Sequence, residues 1–290
     1  MAADRPKPQP PLPAPPVHAR PGMLHVVATP IGNLEDISAR ARRVLGEVDL
    51  IAAEDTRHTQ PMLTQFGIAT PMVALHEHNE DARAAELVAR MQDGASVALV
   101  SDAGTPLVSD PGYRLVRAAR AAGIVVSPVP GACAAIAALS VAGLASDRFC
   151  FEGFLPAKAA ARRTRLDALA AEPRTLVFYE SSHRIEEMLA DCATQLGGGR
   201  EAVLARELTK RFETVLDGSL EGLAARVAAE PDQRRGEFVV VIAGAPEDEA
   251  GALALGRRTF ALLREHLPPS QAARLAAEIS GAPRKALYET

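Results

Sequence analysis

The segment Val97 to Gly112, VALVSDAGTPLVSDPG, constrains this chain more than any other. A short apolar run, Val97 to Val100, passes directly into small residues, two prolines and two aspartates, and the composition stays poor in helix formers until Tyr113. That pattern predicts a buried strand whose carboxyl-end loop cradles a ligand, because open α/β sheets bind ligands at that edge. Gly104 lets a backbone approach a ligand closely, while Pro106 and Pro111 fix φ and stiffen the loop. Asp102 then offers a carboxylate at a fixed place.

A second loop of this kind lies in LHVVATPIGNLEDISARARRVL, where a strand over Leu24 to Ala28 precedes a turn and a helix. It imitates a dinucleotide-binding turn, with Glu54 and Asp55 in the place of a ribose-binding carboxylate. The turn has Gly32 alone, however, where a pyrophosphate site needs three glycines, and Pro30 removes a backbone donor. A ligand without a pyrophosphate ranks above a nicotinamide cofactor.

From there the chain alternates strand and helix. Helix is expected over Asp36 to Leu45, strand over Leu50 to Ala53, helix over Asp81 to Gln92, helix over Tyr113 to Ala122 and strand over Ile124 to Pro128. This spacing predicts a parallel sheet wrapped by helices. The Ala-rich segment after Pro130 and Gly131 is expected to form a buried helix that closes the first domain. A second set begins at Phe149 to Phe154 and ends at Gly236 to Ala243, with strands at Thr175 to Tyr179, Glu201 to Arg206 and Phe212 to Asp217, and with some antiparallel pairing. The expected division is a Pro-rich disordered tail over 1–22, α/β domains over 23–142 and 143–246 with a cleft between them, and a helical segment over 251–290 in which Ser270 is a natural N-cap.

Composition narrows the class. With 290 residues, of which 48% are hydrophobic, the chain can bury a substantial core. Cys133, Cys150 and Cys192 share no metal-ligand spacing, so no metal site is expected and a reduced, cytoplasmic setting is. The apolar run from Gly131 to Ala145 is shorter than the roughly 20 residues a membrane span needs, and the N-terminus lacks a signal-peptide pattern, so no membrane role is expected. The net charge of −4 weighs mildly against a nucleic-acid partner. Local basic clusters answer it: Lys158, Arg162, Arg163 and Arg165 run without an acid until Asp167, and Arg40, Arg42 and Arg43 form another. A solvated helix face is the structural alternative for both.

The segments TPIGNLEDIS, AAEDTRHT, SDAGTPLVSDPGY, PGACAAIAALS, ASDRFCFEGFLP, FYESSHR and ARELTK, in this order, resemble the ribosomal small subunit methyltransferase I family. The resemblance runs from about Leu24 to Glu289. It implies the tetrapyrrole methylase fold: two α/β domains with a cleft between them plus a small C-terminal helical segment. It also implies S-adenosylmethionine-dependent methylation of the ribose 2′-hydroxyl of a cytidine in the decoding region of 16S rRNA, in free RNA or the small ribosomal subunit, by a cytoplasmic homodimer. The donor is then expected beside Pro30, Ile31 and Gly32, the loop with Asp102, Gly104 and Thr105, and the turn Gly131, Ala132 and Cys133, with Tyr179 and Glu180 reaching it from a later strand end.

Attack by a hydroxyl oxygen needs positioning and a base. Glu54, Asp55 and His58 are expected at the reacting end, and Arg57, Lys158, Arg162, Arg163, Arg184 and Lys210 on RNA phosphates. A structural ion-pair network is the alternative for each of these singly. Three rival functions stay open: a small-molecule tetrapyrrole methylase of the same fold, a nicotinamide oxidoreductase, which would need the missing phosphate glycines, and a noncatalytic RNA-binding protein.

Overall fold

Strands whose residues are apolar on both faces need cover on both sides, and this requirement organises the first half of the chain. The computed structural model describes residues 22–246 and 249–288. The expected tail over 1–22 lies outside them except for Gly22. Strands β1 (Met23–Val27), β2 (Leu50–Ala53), β3 (Met72–Ala74), β4 (Ser96–Val100) and β5 (Val125–Val129) form an all-parallel five-stranded sheet in the order β3-β2-β4-β1-β5. On one face Leu24, Leu50, Val97 and Leu99 pack with Leu87 and Met91 of α3 (Glu80–Gln92) and with Leu115 of α4 (Tyr113–Ala121). On the other, Val27, Ile51, Ala98 and Val100 pack with Ala41 and Leu45 of α1 (Ala39–Glu47) and Leu63 of α2 (Thr56–Gln65).

Local chemistry sets the helix starts. Ser38 accepts a hydrogen bond from the Ala41 N–H, so α1 begins later than the sequence suggests, and a short 3₁₀ turn fills Leu34–Asp36. Asp55 caps α2 by accepting from the Arg57 N–H. Pro61 inside α2 hides that helix from a reading by propensity, and the three-residue β3 is too short to show a period.

The second half builds another five-stranded sheet, in the order β6-β7-β10-β8-β9, from β6 (Phe149–Phe154), β7 (Thr175–Ser181), β8 (Glu201–Arg206), β9 (Thr214–Ser219) and β10 (Glu237–Ile242). Only β6 and β7 run parallel; the remaining neighbours are antiparallel. Helices α6 (Ala159–Leu169), α7 (Ile185–Leu196) and α8 (Leu220–Ala229) cover one face through Leu166, Leu189, Leu223 and Val227. The other face, with Val177, Val203, Ala205, Val239 and Val241, is covered by α5 (Ala134–Val141) through Ala135, Ala138 and Leu139. The Ala-rich helix therefore closes the second sheet rather than the first: its small side chains let it lie close on a valine-rich surface.

Both sheets belong to one compact unit, comprising the described residues up to Ala170 together with Arg174–Ala243. Ala171–Pro173 and the described residues from Gly244 onward form another. There, α9 (Glu249–Leu263), α10 (Pro269–Ser280) and a 3₁₀ turn at Arg284–Leu287 pack around Phe260, Ala272, Ala276 and Leu287. Ser270 lies inside α10 rather than capping it, because Pro269 already occupies the first helical position, where its missing N–H costs nothing.

The loop between β4 and α4 is held at its exit. Buried Glu80 accepts from the backbone N–H of Gly112 at 3.0 Å and of Arg114 at 2.8 Å. Gly112 has φ +123, and a Cβ there would come 2.7 Å from Leu99 Cδ2. Gly112→Ala is therefore expected to destabilise the fold by about 1–3 kcal/mol, measured as a lower urea midpoint.

Candidate active site

The strand order explains why loops far apart in sequence meet. Because β2, β4, β1 and β5 are neighbours, their carboxyl ends bring Glu54, the Asp102 loop, Thr29–Ile31 and the Gly131–Cys133 turn side by side. Thr29 and Gly104 exchange backbone hydrogen bonds of 2.8 and 3.2 Å, and the Thr105 hydroxyl donates to the Ala132 carbonyl at 2.9 Å. The Asp55 N–H donates to Asp102 Oδ1 at 3.0 Å.

These loops form one wall of a cavity of about 330 Å³. Ile31, Glu54, Asp102, Gly104, Thr105, Val108, Ser109 and Asp110 come from the first sheet's side. Cys133 and Ala134 come from the start of α5, and Phe154, Tyr179, Leu208, Lys210 and Val239 from the second sheet and its loops. Of the residues expected around the donor, Pro30, Gly32, Gly131 and Ala132 are not in this lining and instead support the loops that are. The Tyr179 hydroxyl accepts from the Ala135 N–H at 3.1 Å, which fixes the ring against α5. Burial, with Cys133 nearby, pushes its pKa well above the ordinary value and keeps it neutral.

The electrostatics divide the carboxylates. Burial, then the charges of Asp110 and Asp102, push the Glu54 carboxyl above its ordinary range. Burial pushes Asp110 up to about 6, with Asp102 adding to the effect and a hydrogen bond with Ser101 opposing it. Asp55 goes the other way, held at about 2 by hydrogen bonds from the Arg57 side chain and N–H. Its lone pairs are thus occupied by a helix cap and an ion pair, which does not suit the basic role expected of it. His58 Nδ1 stands 3.7 Å from Asp102 Oδ2 at the exposed margin of the site.

Residues 23–224 match the family model for Tetrapyrrole (Corrin/Porphyrin) Methylases, and residues 250–290 match the RsmI C-terminal HTH domain. A ribosomal RNA small subunit methyltransferase I of Xylella fastidiosa is 64% identical over 92% of this chain and 98% of its own length. The chain belongs to the ribosomal RNA small subunit methyltransferase I family. The member from Escherichia coli O157:H7 is 55% identical over 92% of this chain and 94% of its own. In fold, the chain is similar to a uroporphyrin-III C-methyltransferase from Thermus thermophilus, solved in complex with S-adenosyl homocysteine, at a TM-score of 0.53 and 19% identity over 76% of this chain and 97% of that one. It is thus a methyltransferase with the tetrapyrrole methylase fold.

For this family member, several side chains expected on RNA turn out to be engaged within the protein. Arg162 is only 2% exposed, donating to Asp191 at 2.6 Å and Glu187 at 3.1 Å. Arg163 shares Asp191 at 2.8 Å, and Arg165 pairs with Glu152 at 2.6 Å. The arginines of the basic run after FLP therefore pair with acids remote in sequence, Glu187 and Asp191 on α7 and Glu152 on β6, while Lys158 stays exposed at the α6 N-cap. Arg184 pairs with Glu180 at 3.2 Å and donates to the Leu155 carbonyl at 2.5 Å. The Glu180 carboxylate is itself fully buried, accepting from the Ser181 N–H at 2.8 Å, and Glu180 belongs to the cavity wall. Lys210 bridges Glu207 and Glu237 at 2.9 and 2.8 Å, and its stem lies where a Cβ on Gly32 would be. Arg57 is exposed beside Asp55.

Residues that the sequence reading passed over include Asp110, Phe154 and Leu208. The signal for Asp110 was present in SDPG, which repeats the acid-in-small-residue pattern of SDAG. Among the described residues no group of three or more His, Cys, Asp or Glu is arranged to hold a metal ion, and no helix is long and apolar enough to cross a membrane.

Proposed function

We propose that this protein transfers the methyl group of S-adenosylmethionine to the ribose 2′-hydroxyl of a cytidine in the decoding region of 16S rRNA, acting in the cytoplasm as a homodimer. The observation that carries this reading is the cavity itself, in a chain of this family. Glu54, Asp102 and Asp110 put negative charge along one side, while Ile31, Val108, Ala134, Leu208 and Val239 supply apolar surface. That donor set fits a ligand with a permanent positive centre and apolar arms, which S-adenosylmethionine is. Thr105, Asp102 and the Cys133–Ala134 backbone are the groups to hold its polar ends, with Ile31 and Val108 against its apolar parts.

When bound, S-adenosylmethionine supplies an electrophilic methyl on sulfur. The chain's own contribution is to position the ribose and accept its proton. A hydroxyl becomes a competent nucleophile only as its proton leaves, and Glu54 and Asp110 are the desolvated carboxylates of the cavity able to take it. Because they are electrostatically coupled, they are assigned as a pair. Neutral Tyr179 offers a flat apolar face opposite, with Phe154 edge-on at 5.7 Å between ring centroids.

Incubation with methyl-labelled S-adenosylmethionine and unmodified small ribosomal subunits, followed by mapping of the labelled nucleotide, tests the reading. A 2′-O-methylated cytidine in 16S rRNA is the expected result. Donor binding without RNA labelling would redirect the assignment to a small-molecule methylase, and RNA binding without donor binding to a noncatalytic RNA-binding protein.

A further inference from the structure

The hairpin loop between β8 and β9, residues 207–213, leaves the cavity and ends in a feature that methyl transfer does not use. Glu207, Leu208 and Lys210 line the cavity, whereas Arg211 and Phe212 face solvent. Phe212 is 64% exposed, in a chain where aromatic residues make up only 4%. The Arg211 guanidinium lies 5.4 Å from the Phe212 ring centroid, and Arg211 has no salt-bridge partner among the described residues.

The loop that carries this pair is fixed. The Glu207 N–H donates to the Glu237 carbonyl at 2.9 Å, and the Thr209 N–H to the Glu213 carboxylate at 2.6 Å. Lys210 clamps Glu207 to Glu237. Glu207 and Thr209 both hold positive φ, at +49 and +66, a conformation that non-glycine residues keep only when the surroundings enforce it. Both acids of the loop are thereby engaged, Glu207 by Lys210 and Glu213 by the Thr209 N–H, and Arg211 is left as its free positive charge. Single exposed apolar side chains are ordinary on protein surfaces, so exposure by itself decides nothing; what sets Phe212 apart is its place on a fixed loop that lines the cavity through Glu207, Leu208 and Lys210, with a guanidinium beside the ring.

We infer that Phe212 and Arg211 form a stacking platform for a single-stranded nucleotide of the RNA substrate, next to the nucleotide whose ribose enters the cavity. A flat ring takes the face of a base and the neighbouring guanidinium a phosphate or a second base face, the combination by which proteins hold unpaired RNA. The platform rests on the functional reading above for the position of the reacting ribose, and on the loop's geometry for itself.

The test uses the full chain and four variants, Phe212→Ala, Phe212→Trp, Phe212→Leu and Arg211→Ala, with two readouts: anisotropy of a labelled single-stranded RNA spanning the decoding-region sequence, and methylation kinetics on small subunits at saturating S-adenosylmethionine. Stacking of one base is worth about 5- to 150-fold in affinity. Phe212→Ala is expected to lose RNA affinity within that range and to act through KM rather than kcat, with unchanged S-adenosylmethionine affinity by calorimetry. Trp is expected to restore binding and Leu not to, and Arg211→Ala to reduce the salt dependence of binding by about one unit of slope. Wild-type affinity in Phe212→Ala, equal rescue by Leu and Trp, or a change of oligomeric state as the main effect would each overturn the platform. The two readings fail separately: Phe212-dependent RNA binding without methyl transfer keeps the platform and sinks the reaction, whereas methyl transfer indifferent to Phe212 does the reverse.

Discussion

Asp110→Asn and Glu54→Gln are each expected to lower the rate of methyl transfer by about 10²–10⁴-fold, the range in which a positioned proton acceptor contributes. Both changes keep the size of the side chain and remove its charge together with its ability to take a proton; because Asp102 keeps negative charge on that side of the cavity, binding of S-adenosylmethionine is expected to weaken less than turnover. The acid limb of the wild-type pH–rate profile is expected to report the Glu54–Asp110 pair and to lie above the ordinary carboxylate range, with Asp110 at about 6. Stability is expected to move the opposite way. Burial raises the folded-state pKa of Asp110 above its unfolded value of 3.8, so its contribution is most favourable below that value and is lost as pH rises through about 6. Asp110→Asn therefore unfolds at a higher temperature than wild type at pH 8, with the gap closing toward pH 4. A variant that keeps full turnover, or one with a pH-independent gap in Tm, would remove Asp110 from the role. By contrast Asp55→Asn, whose target is already a cap and an ion pair, is expected to act on the stability of α2 rather than through a proton transfer.

Asp191→Ala is expected to cost about 3–5 kcal/mol, because it leaves the buried Arg162 guanidinium with solvent-exposed Glu187 as its one carboxylate among the described residues. Asp191 is 8% exposed and serves Arg162 and Arg163 together. Burial works to raise its carboxyl pKa, but hydrogen bonds from Arg163 and Arg162 outweigh that and hold it below the ordinary value. Replacing the pair with apolar residues of similar volume, Arg162→Met with Asp191→Leu, is expected to recover most of the loss, since the buried charge goes with its partner. Urea unfolding measures both. RNA affinity supplies the control: Arg162→Met is expected to leave its salt dependence unchanged, while Lys158→Ser, on an exposed side chain, reduces it. A flattened slope in Arg162→Met would return that arginine to the RNA surface.

The contrast between Arg162 and Lys158 shows where a linear reading stops. Lys158, Arg162, Arg163 and Arg165 are alike on the page, a basic run with no nearby acid. Folding brings in Glu187 and Asp191 from α7 and Glu152 from β6, and three of the four become structural. Glu180 and Arg184 behave in the same way, as does Lys210 with Glu237. Charge pairing between elements depends on which helix and strand become neighbours, and a sequence window does not contain that.

The sequence by itself determined what is local: strands apolar on both faces, hence a parallel sheet with helices on each side, and the glycine- and proline-rich loops at their carboxyl ends. Those loops carry Ile31, Asp102, Gly104, Thr105 and Cys133, and all five line the cavity. The motif series likewise marked the family, which the relatives bear out. Tertiary structure alone decided the partners. It placed α5 on the second sheet, set Asp110 beside Glu54 across the loops of two strands, and turned the Glu180 carboxylate inward. The reason is physical: backbone preference and hydrophobic period act over a few residues, whereas desolvation and ion pairing are properties of the neighbours a side chain acquires only when the chain has folded.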